Sequence, residues 1–441
     1  MTENDRIASA FSPLSMGEGR NNPKGHASSP KATENVPDVL EKAPNLAVDS
    51  NSKSQTNGKN QTNGTRVSNK KREKSKKNLS SKSRSSKGLS NYNRKPSPIY
   101  AALDLGTNNC RLLVARQQGN GFRVIDGYSK IVRLGEGVSI SGQLDENAIK
   151  RTIAALADCK VKLDRHQPKY MRLIATQACR GADNSDEFLQ RVKDETGIEL
   201  EIIDQRVETQ LAVAGCGDLI DENAHGALMF DIGGGSTELA WLDFRGGRPK
   251  LRSKMPASIR SWHSLPVGVV SIAEKFGGKH VNNEIFEEMV AYVTEKLKAF
   301  KGRKKLQDMI KTHNVHLIGT SGTVTTLGGL HLGLERYDRS KVDGLWMRND
   351  EVVDTMRVLL NMTYERRAEN SCIGEDRSDL VIPGCAIFEA IRREWTTKNI
   401  RVADRGLREG MLVSMLEQSR QTAAQKRSSK AKKNKRGEKH G

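Results

Sequence analysis

The chain has 441 residues, 36% hydrophobic and only 5% aromatic, which is length for two ordinary domains but thin composition for two fully packed ones. Its net charge of +20 suggests a nucleic-acid binder until it is divided by position: residues 1–95 hold 19 Lys/Arg against 8 Asp/Glu, residues 418–441 hold 9 against 1, and 96–417 keeps 45 against 44. The basic character belongs to the two ends, so a basic folded domain is excluded. No stretch approaches the roughly 20 apolar residues of a membrane span, and Met1–Arg20 carries no apolar leader, which together point to the cytoplasm. Cys110, Cys159, Cys179, Cys216, Cys372 and Cys385 show neither CxxC nor His-paired spacing, which argues against a zinc site or a disulfide framework.

Residues 1–95 are rich in Ser, Asn, Lys and Gly, with Phe11 and Tyr92 the only aromatics, and are expected to be an unstructured basic tail. The run Lys70–Lys77 reads as a solvated segment or as a contact for RNA or another polyanion; no interleaved aromatic is present to stack on bases. Folded structure is expected to begin at Pro96. Residues 99–103 and 111–115 read as buried strands around a Gly/Asn turn, with a third strand at about 122–128. Asp145 opens a helix with apolar positions Ile149, Ile153, Leu156, Cys159 and Leu163, and 171–176 returns as a strand. Ser185 begins another amphipathic helix ended by Gly197, and 198–203 is the next strand. Residues 226–230 and about 239–242 repeat the opening hairpin: YAALDLGTNN (100–109) and ALMFDIGGGS (227–236) both run from a buried strand into Asp, an apolar residue, Gly and small polar residues. A third loop, Gly319–Thr323, follows the strand 315–318 and opens a helix. Residues 418–441 are expected to form a second unstructured basic tail.

The turn Asp231-Ile232-Gly233-Gly234-Gly235-Ser236-Thr237-Glu238 offers backbone N–H groups to an anion and carboxylate oxygens to a hard cation, so phosphate with Mg²⁺ is the natural ligand. One such turn alone equally suits a tight hairpin. Three loops in one chain favour the phosphate reading. Asp104, Gly106, Thr107 and Asn108 then cup the anion from the opposite lobe, with Arg111 beside them, and Ser321, Gly322 and Thr323 supply the third loop.

The loops DLGTNN and DIGGGSTE, the segment Ala175–Arg180, Gly319–Thr323, Leu265–Gly268, Arg377–Asp379 near Pro383-Gly384, and Asp404–Gly410 together resemble the exopolyphosphatase/guanosine pentaphosphate phosphohydrolase family in order and spacing, over roughly 98–417. The resemblance implies an α/β fold of two ribonuclease-H-like lobes of the actin-like/sugar-kinase superfamily, closing on a phosphate cleft. The first lobe is expected over 96–206, completed by a helix at 404–417, and the second over 207–403. By the same resemblance Glu208 aligns with the catalytic base, Arg180 contacts substrate phosphates, and members commonly pair as homodimers. Val207 and Thr209-Gln210 depart from the family's pattern around the base. No His-Asp dipeptide occurs, so this looks like the short, two-lobed form.

Glu208 is expected to precede a helix whose N-terminus favours the carboxylate, while anionic substrate favours the acid. The leading expectation is Mg²⁺-dependent hydrolysis of a terminal phosphoanhydride in inorganic polyphosphate, in guanosine pentaphosphate (pppGpp), or in both. Water is the nucleophile, Glu208 the base, and Asp231 and Glu238 the metal ligands. Alternatives are an ATP-dependent phosphotransferase on the same fold and a non-catalytic sensor of polyanion or alarmone.

Overall fold

The computed structural model describes residues 97–437, with side chains through Ser429. The tail expected over 1–95 lies outside the described residues. Ile99–Leu105 (β1) is apolar on both faces, as a central strand must be. It pairs antiparallel with Asn109–Gln118 (β2), and β2 pairs with Gly121–Ile131 (β3). On its other edge β1 pairs parallel with Tyr170–Ala175 (β4), which pairs with Glu201–Ile202 (β5), giving the order β3-β2-β1-β4-β5.

The second sheet repeats this plan. Gly226–Ile232 (β6) pairs antiparallel with Thr237–Asp243 (β7), and β7 with Ile259–Leu265 (β8). On its other edge β6 pairs parallel with Val315–Thr320 (β9), which pairs with Asn399–Ala403 (β11). The short edge strand Trp346–Arg348 (β10) is the addition, so the order reads β10-β11-β9-β6-β7-β8. The repeat between the two opening hairpins is thus the visible part of a duplicated five-strand topology. Strands β8, β10 and β11, and most helices of the second half, were not anticipated.

The first sheet is covered on one face by the Glu146–His166 helix. Asp145 caps it by accepting from the N–H groups of Asn147 and Ala148, and the five apolar positions named above all go inward. The Ser185–Thr196 helix ends at Gly197 in the left-handed region (φ 69°), as the sequence indicated. The opposite face is covered by the last helix, Leu407–Gly437. Its Leu407, Met411, Leu412, Met415 and Leu416 pack with Tyr100, Ala102, Leu113 and Ile174. The C-terminal segment from 418 is therefore corrected. It continues this helix to Gly437, because a packed first half supplies the nucleus and Gln, Ala, Lys and Arg extend it at little cost. Gln421–Ser429 are exposed throughout.

The Gln205–Cys216 helix spans the expected lobe boundary at 206/207. Its Leu211 joins the cluster under the first sheet, whereas Ala212, Val213 and Cys216 pack with Met229, Leu242 and Ala403 of the second. It crosses the last helix in backbone contact. A Cβ at Gly215 would meet the Gly406 carbonyl, and one at Gly410 the Leu211 carbonyl, so only glycine fits. All six cysteines are buried and free. Among the described residues no helix is long and apolar enough to cross a membrane.

Candidate active site

Chains leaving the carboxyl ends of β1, β4, β6, β9 and β11 open into one cleft of about 510 Å³, the usual place for a ligand where parallel strands end. The two glycine hairpins touch within it. Neither Gly106 nor Gly233–Gly235 has positive φ. The triple glycine serves close approach instead: a Cβ at Gly234 would lie 2.8 Å from Thr107 Cβ, and one at Gly235 2.9 Å from Thr107 Oγ1. Thr107 is thereby wedged into the facing loop. The loop's other side is closed by Leu265–Val270, where Val269 and Val270 donate their N–H groups to the carbonyls of Gly233 and Gly234 (3.0 and 2.8 Å).

The third loop carries backbone strain. Ser321 sits at φ 98°, ψ 177°, a region suited to glycine that costs a residue with a side chain about 1–3 kcal/mol. Its Oγ is buried without a hydrogen-bond partner, as is Oδ1 of Asn108 across the cleft. Orphaned polar atoms at two of the three loop tips are what a ligand rich in oxygen would satisfy.

The duplicated hairpins differ at one telling position. In the first, register places Asp104 opposite Arg111; in the second, the equivalent Asp231 stands opposite Glu238. The first hairpin neutralises its acid and the second doubles it. Burial first, and then Glu208 and Asp104, push Asp231 up to about 7, with Arg111 opposing. Burial and Asp231 push Glu238 up to about 7, although its Oε1 accepts from Ser236 Oγ at 2.6 Å and Ser264 Oγ at 2.9 Å. Burial likewise raises Asp104, against the pull of Arg111 and Arg408.

Glu208 lines the same cleft, from the first turn of the Gln205–Cys216 helix rather than ahead of it. Asp204 caps that helix by accepting from Val207 N–H at 2.7 Å, so Val207 is held by its backbone. Glu208 pairs with Arg180 (2.8 Å), its side chain only 12% exposed. Burial and Glu238 nevertheless push it up to about 8, outweighing both Arg180 and the helix N-terminus. A carboxyl held this far above its ordinary range gives up its proton near neutrality, where a general base is most effective.

Of the residues singled out from sequence, Asp104, Gly106, Thr107, Asn108, Arg111, Glu208, Asp231, Gly233–Ser236, Glu238 and Ser321–Thr323 all line the cleft. Thr237 does not. It is fully buried and its hydroxyl donates to the Val267 carbonyl at 2.7 Å, which tethers the β7–β8 connection. Arg180 lies behind Glu208 rather than on the cleft wall: besides that pair it donates to the Ile203 carbonyl (2.8 Å) and to Gln177 Oε1 (3.1 Å). Sequence reading gave no role to Arg377 and Arg408, which also line the cleft. Both stood in quoted motifs, Arg377-Ser378-Asp379 and Asp404–Gly410, and an arginine inside a loop motif was the available signal. Arg339, also on the wall, is occupied by Asp404 and Glu409.

Among the described residues no three His, Cys, Asp or Glu side chains gather into a metal cage. The donor set suits Mg²⁺ in its usual protein form, held by one or two carboxylates with water and ligand oxygens completing the shell. Asp231 and Glu238, mutually repelling and desolvated, are a pair of carboxylates that a cation would stabilise.

Two sheets of one topology, meeting over glycine hairpins at their strand ends, define an actin-like ATPase-type fold. The chain belongs to the Ppx/GppA phosphatase family, whose model matches residues 113–419. It is 26% identical to Exopolyphosphatase 2 of Mycobacterium tuberculosis, over 71% of this chain and 98% of that protein. It is 30% identical to the Bifunctional 3-dehydroquinate synthase/phosphatase of Fusobacterium nucleatum, over 66% of this chain but only 43% of that protein's length. The crystal structure of the Aquifex aeolicus Ppx/GppA family member superposes with a TM-score of 0.59 at 27% identity, covering 73% of this chain and 98% of that one.

Proposed function

We propose that the protein removes terminal phosphate from inorganic polyphosphate, with guanosine pentaphosphate, converted to the tetraphosphate, as a second substrate sharing the same phosphoanhydride end. The observation that carries this reading is the placement of Glu208, a buried base tuned toward neutrality, on the wall of a cleft formed by three phosphate-sized loops. The glycine hairpins and the Ser321–Thr323 loop hold the chain end, and Arg111 and Arg377 meet its charge. Arg180 fixes the rotamer of Glu208. Glu208 orients a water in line with the terminal phosphorus and takes its proton as the water oxygen bonds to phosphorus. The bridging P–O bond breaks, and the bridging oxygen leaves on the shortened chain while orthophosphate is released.

Asp231 and Glu238 would hold Mg²⁺, which when bound supplies positive charge that offsets the substrate phosphates and favours ionised carboxylates. The basic extension of the last helix, with Arg420, Lys426 and Arg427, offers a polyanion further contacts, and the basic segment 1–95 adds positive charge of its own. The test is phosphate release from long-chain polyphosphate and from guanosine pentaphosphate, with and without Mg²⁺, for the wild type and Glu208→Gln. Release by the wild type that falls at least 100-fold in the variant is the expected outcome. No release by the wild type leaves a sensor; ATP-dependent transfer to a hydroxyl leaves a phosphotransferase.

A further inference from the structure

The segment after β3 straps the first phosphate loop and then reaches across the cleft. Val132 and Arg133 donate their N–H groups to the Asn108 carbonyl (2.9 and 3.1 Å), and Gly135 donates to that of Thr107 (2.9 Å). Arg133 itself takes a left-handed φ of 48°. Its guanidinium forks onto Asp379, Nη1 to Oδ2 and Nη2 to Oδ1, both 3.0 Å, and Nη2 also donates to the Asp376 carbonyl at 3.1 Å. The next residues of the strap dock beside it: Gly137 N–H donates to Glu274 at 2.7 Å, and Ser139 Oγ donates to the same carboxylate.

Asp376 and Asp379 enclose Arg377, the last residue of a single 3₁₀ turn, Glu375–Arg377. A turn that short has little rigidity of its own. Arg377 Nε donates to the Ile373 carbonyl (3.1 Å), and its Nη1 lies 3.4 Å from where a Cβ on Gly322 would stand, beside the strained, orphaned hydroxyl of Ser321. Among the described residues no carboxylate pairs with Arg377. A guanidinium on the cleft wall with no carboxylate partner among the described residues is thus braced on both flanks by one residue from the opposite sheet's loop.

We propose that Arg133 is a positioning residue: by gripping the Asp376–Asp379 turn from the strap that also holds Asn108, it aims Arg377 at the third loop and completes a phosphate subsite only when the two loops are together. Bidentate geometry is the substance of the contact. A lysine keeps the charge and loses the fork. The proposal rests on the reading of the cleft as a phosphate site and adds to it the residue that sets Arg377.

The experiment is a double-mutant cycle on the full chain with Arg133→Lys and Arg377→Met, and with Asp379→Asn as an independent break of the same contact. Two readouts are taken: KM and kcat for phosphate release from polyphosphate, and the Kd of imidodiphosphate, which needs no turnover. Arg133→Lys and Asp379→Asn should each raise KM and Kd about tenfold, with kcat changed less than threefold. Adding Arg133→Lys to Arg377→Met should raise Kd no further, because Arg133 acts through Arg377. Unchanged Kd in Arg133→Lys and Asp379→Asn, or full additivity with Arg377→Met, overturns the proposal. Absence of turnover in the wild type overturns the phosphatase reading instead, while the imidodiphosphate cycle still decides the role of Arg133.

Discussion

Replacing Glu208 by Gln should stabilise the ligand-free protein at alkaline pH while removing its activity. A carboxyl raised on folding holds its proton better in the native than in the unfolded state, so the stability it lends is complete below its ordinary value of 4.5 and lost as pH rises through about 8. At about 1.4 kcal/mol for each pH unit, that interval sets a ceiling of about 4–5 kcal/mol for Glu208 alone. Between pH 5 and 8.5 about 2–4 kcal/mol of that loss is sampled and should vanish in the variant, and the part carried by Asp231 shrinks further once the neighbouring charge is gone. The substitution also leaves Arg180 without its carboxylate, with only the Ile203 carbonyl and Gln177 as partners. That offset does not change with pH, so the slope carries the information. Urea unfolding of both proteins at steps from pH 5 to 8.5, with divalent cations chelated and phosphate absent, measures it. Parallel curves for wild type and Glu208→Gln would refute the argument that burial and mutual repulsion hold this acid in its neutral form.

Gly234→Ala should lower turnover at least tenfold with little change in melting temperature, because its Cβ would meet Thr107 and keep the hairpins apart; steady-state kinetics and circular dichroism decide it. Gly410→Ala should cost about 3 kcal/mol or more in urea unfolding, since its Cβ meets the Leu211 carbonyl and forces two packed helices to separate. Glu389→Ala should cost about 3–5 kcal/mol in the same assay by leaving Arg392, 1% exposed, without its 2.7 Å partner. Removing residues 421–441 should leave turnover of guanosine pentaphosphate unchanged, while raising KM for long-chain polyphosphate and flattening its salt dependence.

The first half of the chain was legible because its signals are local. Asp145 and Gly197 sit where a cap and a stop are needed, and β1 and β6 are long apolar runs ending in Asp. The cleft followed from three such loops in one chain, since any one of them alone equally suits a tight hairpin. What sequence could not show was direction. Thr237 alternates away from the cleft by strand pleat, and Arg180 turns back onto Glu208, choices fixed by tertiary register. The contrast between Asp104–Arg111 and Asp231–Glu238 is invisible until the two hairpins are laid in register. The helical extension beyond 417 was missed because composition alone does not reveal that a packed helix feeds into it.

The last helix covering the first sheet has a consequence for biosynthesis. Tyr100, Ala102, Leu113 and Ile174 leave the ribosome before any of the second sheet, yet the residues that shelter them, Leu407 to Leu416, are made only after all of it. Until then the nascent chain carries that apolar sheet face without its main cover, Leu211 being the part made earlier, while the second sheet is synthesised and folds. Chains truncated or stalled before Leu407 should be obligate chaperone clients, and emergence of the covering helix is the moment at which the first sheet becomes sealed.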